Sequence, residues 1–352
     1  MEKIELADYD IFVGAIWQTF NDLLEVSGYS NIVILVDENT LEHCLPVLLQ
    51  NTTIKDPVLI EVSSGEINKN IETCSFIWQQ MIDKHIDRNA VVINLGGGVI
   101  GDMGGFCASA FKRGIDFVQM PTTLLSQVDS SIGGKLGIDF GAIKNSIGLF
   151  KDPKAVFIFS GFLKTLPTKE IRSGFAEMIK HGLIADAQIW KQLKAIENFE
   201  KVDWLAYITP SLKIKKQIVK ADPFEKNVRK KLNFGHTIGH AMESLALKTA
   251  KPLLHGEAIA AGMICEAWLS VENSGLSEAA LEEIVDYVLK IYGKADLKEK
   301  DFPDLLALMK NDKKNEGSAI NFTLLLQPGE ASINHVCIEE SIFKSLKYYS
   351  KL

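Results

Sequence analysis

The chain has 352 residues, 47% hydrophobic and 24% charged, which excludes wholesale disorder and suggests two domains at roughly 100–200 residues each. With 38 Lys+Arg against 45 Asp+Glu, the formal net charge of −7 argues against a general nucleic-acid or anionic-membrane binder, whose affinity would rest on basic surface. Scattered Cys44, Cys74, Cys107, Cys265 and Cys337 with no CxxC point to reduced thiols in a cytoplasmic protein, and the sequence shows neither a signal-peptide pattern nor an apolar run of about 18 residues.

The first half reads as alternating strands and helices. Strands are expected at 31–36, 57–62, 90–94, 117–120 and 155–159, with a helix over about 69–86. Continuous apolar strands separated by helical text predict a Rossmann-like parallel sheet covered on both faces. From about 161 the patterns turn helical: 168–184, 187–197, 203–221, 235–247, 255–273 and 277–292, with one strand at 320–326. The fold expected is therefore an α/β domain over 1–160 and a mainly α-helical domain over 161–352. A cleft between two such domains is a frequent place for a ligand.

Three segments carry chemistry. Gly96-Gly-Gly-Val-Ile-Gly-Asp102 follows a strand pattern, opens a helical one and formally satisfies G-x-G-x-x-G. Its glycines suit either backbone amides meeting a pyrophosphate or tight helix–sheet packing. The fingerprint belongs after the first strand of its βαβ unit, yet three strand-like runs precede or include this one. Next, Pro121-Thr-Thr-Leu-Leu-Ser-Gln-Val-Asp-Ser-Ser-Ile-Gly-Gly-Lys135 concentrates Thr122, Thr123, Asp129, Ser130 and Lys135, with Lys144-Asn145 close behind. A turn explains the glycines but not the clustered lysines and aspartate.

Third, four of the seven histidines lie between 181 and 255. His236 and His240, four apart, share a helix face, and His255-Gly-Glu257 opens the next apolar helix. Glu177 precedes Lys180 on one face. Two imidazoles and a carboxylate make a reasonable catalytic zinc set, with a position left for substrate. Spacing does not choose the ligands, because His181 also stands one turn from Glu177, and Thr237 occupies the place of a zinc-peptidase glutamate. Lys213, Lys215, Lys216 and Lys220, followed by Asp222, Glu225 and Arg229, read as a solvated helix face or as an anion-binding approach to the histidine pair. His43, His85 and His335 carry no motif.

Together with Lys112-Arg-Gly114, Gly174-Phe-Ala-Glu-Met-Ile-Lys180 and Asn233-Phe-Gly-His-Thr-Ile-Gly-His240, these segments occur in an order that closely resembles the 3-dehydroquinate synthase family of sugar phosphate cyclases, from about Asp37 to Lys313. The resemblance implies an NAD-dependent, Zn2+- or Co2+-dependent lyase of the shikimate pathway. Such an enzyme converts 3-deoxy-D-arabino-heptulosonate 7-phosphate to 3-dehydroquinate and phosphate by transient oxidation, elimination, re-reduction and aldol closure. It places metal ligands at Glu177, His236 and His255. NAD contacts fall on Asp37, Asn39, Glu66, Lys69, Gly98, Val99, Ile100, Gly101, Asp102, Thr122, Thr123, Lys135, Lys144, Phe162, Thr165 and Leu166. Substrate contacts fall on Asp129, Lys135, Lys144, Asn145, Lys180, Lys215, Glu225, Arg229, Asn233, His240 and Lys313. Arg113 is expected to reach a neighbouring subunit's site, which implies a homodimer. Ser126 takes a place often held by alanine, and the 248–252 stretch lengthens the loop before His255. Rival readings are a cyclase for a sugar phosphate lacking a carboxylate, which Lys215 and Arg229 disfavour, a metal-dependent alcohol or glycerol dehydrogenase, and a nucleotide- or metal-sensing protein.

Overall fold

The computed structural model describes residues 1–141, 143–247, 249, 251–310 and 320–352. They form two compact units, Met1–Pro167 with Asp203–Thr209, and Thr168–Val202 with Pro210–Leu352.

The first unit contains β1 (Glu2–Glu5), β2 (Asp10–Val13), β3 (Ile32–Asp37), β4 (Val58–Val62), β5 (Val91–Gly96), β6 (Asp116–Pro121), β7 (Lys135–Phe140), β8 (Ile143–Phe150) and β9 (Ala155–Ile158). Seven of these form one sheet in the order β1-β2-β9-β6-β5-β3-β4, parallel except for the antiparallel β1–β2 edge. Its helices are α1 (Trp17–Ser27), α2 (Glu38–His43), α3 (Leu45–Asn51), α4 (Ile71–Asp83) and α5 (Gly98–Ala110).

The apolar runs are continuous because both faces of the sheet are covered. Successive side chains alternate, so Val33, Leu35 and Val92 pack with Cys74, Met81 and Met103 of α4 and α5. Ile34, Val36 and Ile93 instead join Phe20, Leu48 and Phe162 on the other face. Each fully buried aliphatic side chain contributes roughly 1.5–3 kcal/mol. β7 and β8 pair as a separate two-stranded sheet, and Leu136 and Ile138 of β7 plug into the first of these clusters.

The glycine turn has a topological reason for following β5. β3 and β4 run toward one edge of the sheet, and β5 then pairs on the other side of β3 and leads toward the opposite edge through β6. The direction reverses between β3 and β5, and ligands of open α/β sheets bind at the strands' carboxyl ends at such a reversal.

The second unit holds α6 (Thr168–Ala185), α7 (Ala187–Lys194), the later turns of α8 (Trp204–Ala221), α9 (His236–Ala246), α10 (His255–Ser274), α11 (Glu278–Tyr292), α12 (Phe302–Lys310), the hairpin β10 (Asn321–Gln327) and β11 (Glu330–Val336), and α13 (Glu339–Lys351). α10 is apolar nearly all round and buried from Ala258 through Ala267, as a central helix should be. α9 and α10 approach closely, because a Cβ on Gly262 would fall 2.0 Å from the Gly235 carbonyl oxygen and 2.7 Å from the Gly239 nitrogen.

A candidate metal centre and a glycine-rich turn

Three helices of the second unit converge on one point. α6 supplies Glu177, fully buried, with Lys180 one turn on. α9 supplies His236 as its first residue and then His240 and Glu243. α10 supplies His255, also a first residue. Gly256 donates its amide to Ser173 Oγ at 3.0 Å, and a Cβ there would lie 2.2 Å from the Ser173 carbonyl oxygen. That close approach fixes the start of α10 one turn before Glu177.

His236 Nε2 and His255 Nε2 each lie 3.4 Å from Glu177 Oε1. Donor atoms bound to one tetrahedral zinc at about 2.0–2.1 Å are about 3.3 Å apart, so both separations fit a shared ion. The remaining ring nitrogens are engaged: His236 Nδ1 is 3.1 Å from the Phe234 carbonyl oxygen and His255 Nδ1 is 3.5 Å from Glu243 Oε2. Such partners orient metal-binding imidazoles and fix the tautomer that leaves Nε2 to bind.

Burial pushes the Glu177 carboxyl up, but the Lys180 ammonium, in direct contact with Oε2, and the His236 and His255 imidazoles hold it well below the usual carboxylate range. Burial pulls His255 down, yet the Glu177 and Glu243 carboxylates raise it to about 9. The two carboxylates thus favour positive charge at the His255 ring, carried by a proton or by a bound cation. His181 also offers a donor atom within 4.8 Å of Glu177, and its Nδ1 lies 2.7 Å from Ser211 Oγ, so it is a third imidazole beside this carboxylate. His240, Glu243 and His255 form an overlapping triple within the same distance.

Between α8 and α9, Asp222 accepts the amides of Lys226, Asn227 and Arg229 at 3.0, 2.6 and 3.1 Å, folding the chain back after α8. Burial raises the Asp222 carboxyl, but those amides and the Arg229 charge hold it below its ordinary value. The turn buries Arg229, whose Nη1 donates to the Pro223 carbonyl. Glu225 sits at a positive φ of 58° and accepts from Asn233 Nδ2 at 2.8 Å. Lys215 is buried on α8.

In the first unit, Asp37, the glycine turn and Thr122 lie at the carboxyl ends of three adjacent strands, with Thr122 donating its amide to the Gly96 carbonyl at 3.0 Å. Asp37 caps α2 through Thr40, and Asn39 is exposed in that first turn. Gly98 and Gly101 are approached by Ser130 Oγ and Gln119 Oε1, each 3.0 Å from a would-be Cβ. Gly104 and Gly105, further along α5, allow close packing on Asn94 and Leu136. Close packing by the chain's own side chains therefore runs along this helix from Gly98 to Gly105.

Lys69 is buried, and its Nζ donates to Asp102 Oδ2 and Asn145 Oδ1, both at 2.6 Å. Burial lowers its pKa, but Asp102 and Glu66 more than offset this and leave it raised. Lys144 Nζ lies 3.9 Å from Glu66 Oε1, so five of the expected residues gather here. Asp129 sits in the turn after Thr123, and Lys135 is exposed at the start of β7. Ser126 Oγ lies 2.9 Å from Thr123 Oγ1, so the serine ties the threonine hydroxyl. Ile100 and Phe162 are core residues whose side chains are packed away, while Val99 and Leu166 are half-buried and Thr165 is exposed. Arg113 is exposed at a positive φ of 71°. Lys313 lies outside the described residues, as do Lys248 and Ala250 of the 248–252 stretch.

The sequence reading missed Glu243 and Glu266. Glu243 was legible as the next position on the 236/240 helix face. Glu266 had no signal short of knowing that α9 and α10 touch.

Residues 59–173 match the family model for the 3-dehydroquinate synthase N-terminal region, and 174–315 the model for its C-terminal region. A 3-dehydroquinate synthase from Parabacteroides distasonis is 40% identical over 93% of this chain and 94% of its own length. A 2-deoxy-scyllo-inosose synthase solved with carbaglucose-6-phosphate, NAD+ and Co2+ superposes with a TM-score of 0.83, at 22% identity over 99% of both chains. The 2-epi-5-epi-valiolone synthase of Streptomyces hygroscopicus subsp. jinggangensis, solved with NAD+ and Zn2+, gives 0.83 at 23% identity over 100% of this chain and 99% of its own. The fold is that of the sugar phosphate cyclases. Within them, the chain belongs to the 3-dehydroquinate synthase family, and its activity is the lyase activity of that family.

Proposed function

We propose that the chain converts 3-deoxy-D-arabino-heptulosonate 7-phosphate to 3-dehydroquinate and phosphate, with NAD at the glycine turn and Zn2+ or Co2+ on Glu177, His236 and His255. The observation that carries the metal assignment is the pair of 3.4 Å separations from the two Nε2 atoms to a single Glu177 oxygen. When bound, NAD supplies reversible hydride acceptance and the metal supplies Lewis acidity at a sugar oxygen.

The protein's own residues bind, orient and neutralise. Arg229, buried and anchored at Pro223, presents a planar guanidinium suited to the substrate carboxylate, supported by Lys215 and Lys313. Lys135, Asn145, Asn233 and His240 serve the phosphate, together with Arg113 reaching from a second copy in a homodimer. Lys180 neutralises Glu177 Oε2, which keeps the carboxylate ionised, and contacts a sugar hydroxyl. Glu225 fixes the Asn233 amide. Asp129 holds a hydroxyl, and the departing phosphate takes the C6 proton. Lys69 orders Asp102 and Asn145 beside the nucleotide. The buried cysteines, none in a disulfide, suit the reducing cytoplasm, and no described helix is long and apolar enough to cross a membrane.

The test compares phosphate release from the heptulosonate, sedoheptulose 7-phosphate and glucose 6-phosphate while following NADH absorbance, with and without chelator. The expected result is chelator-sensitive phosphate release from the heptulosonate with no net NADH. Preference for a carboxylate-free sugar, or steady NADH accumulation, overturns the proposal.

A further inference from the structure

We infer that Glu266 is a positioning residue for the metal site, holding the His236 imidazole in place by capping α9 from outside. This rests on the reading of Glu177, His236 and His255 as metal ligands. α9 begins at His236, and its N-cap is Gly235 at φ 80°, which has no side chain to satisfy the helix's first amides. A Cβ at 235 would lie 2.6 Å from Met263 Cγ and 3.0 Å from the Ile259 carbonyl oxygen, so an ordinary Ser, Asp or Asn cap has no room there. The cap comes instead from α10: Glu266 Oε2 accepts the Gly235 amide at 2.6 Å and Oε1 accepts the Ile238 amide at 3.0 Å.

Glu266 is completely buried, where a carboxylate is costly unless its oxygens are satisfied. The positive end of the α9 dipole and these two amides supply that satisfaction. Glu266 lies eleven residues after His255 on the same helix, about three turns and hence nearly the same face. One helix therefore begins with one imidazole and pins the start of the helix that begins with the other. The relative placement of the two Nε2 atoms depends on that pin.

The test uses Glu266→Gln and Glu266→Asp, with Tyr287→Phe as a stability control. The control removes a hydroxyl that donates to the Leu193 and Ile196 carbonyls. Readouts are Co2+ affinity by chelator competition, the visible spectrum of the Co2+-loaded protein, thermal unfolding and NAD affinity. Glu266→Gln should bind Co2+ about 10–100-fold more weakly, as for loss of other groups that orient metal ligands, with an altered spectrum and unchanged NAD affinity. Glu266→Asp should fall between it and wild type, and Tyr287→Phe should lower only thermal stability. Wild-type Co2+ binding in both Glu266 variants overturns the inference, as does equal weakening by Tyr287→Phe. Failure of both Glu266 variants to fold while Tyr287→Phe folds also overturns it, since the carboxylate would then determine the fold. If His236→Ala binds Co2+ as wild type does, the ligand reading itself falls, and the inference with it.

Discussion

Arg229 illustrates how much of this protein depends on single side chains. Its burial follows from three backbone amides closing on Asp222, so a residue drawn from a charged run becomes a fixed, desolvated donor. Lysine in its place keeps the charge but loses the fork. Arg229→Lys should lower kcat/KM for the heptulosonate by about 2 kcal/mol, roughly 30-fold, with metal content unchanged, as steady-state kinetics and metal analysis would show. At this scale the sequence identified residue types well and partners poorly. Lys69 is expected only as an NAD contact implied by the resemblance, yet it is a buried ammonium joined to Asp102 and Asn145 from distant segments.

Among the elements, the long apolar strands and helices were legible because their patterns reflect burial on both faces or all round. β7 and β8 were not, because Lys135–Phe150 is rich in glycine and polar residues and its two strands stand apart from the main sheet. The α9–α10 contact was equally hidden, since it rests on glycines that periodicity counts as neutral. Gly262→Ala would press a methyl group on the Gly235 carbonyl and force the helices apart, costing about 1–3 kcal/mol by overpacking, with weakened metal binding. Gly275→Ala, at φ 85° with open space around it, carries only local backbone strain and should leave metal affinity intact. Denaturant unfolding with parallel metal titration would separate the two.

For the whole molecule, ligand binding adds to the stability of the native state by mass action. Metal held at 100 times its Kd adds about 2.7 kcal/mol to the native state. For a domain of this class, stripping it should lower the midpoint by about 5–10 °C, a shift that scanning calorimetry with and without chelator would measure. The proposed homodimer makes a separate prediction. If Arg113 serves the neighbouring site, mixing inactive Arg113→Ala and Lys180→Ala subunits restores about a quarter of the wild-type activity, since half the dimers are mixed and each has one complete site. No recovery after subunit exchange would place Arg113 in its own subunit's site.

By itself the sequence determined the family, the alternation that builds the parallel sheet and the residue types of the chemistry, because these are written in local order and spacing. Tertiary structure alone decided which groups meet. Glu177, His181, His236, His240 and His255 permit several ligand sets by spacing. Helix packing aims the Nε2 atoms of His236 and His255 at one Glu177 oxygen, each 3.4 Å away. The same packing delivers Glu266 to the start of α9. A chain of residue types carries no record of helix rotation or of the distance at which two helices pass, and those two quantities set the geometry of the site.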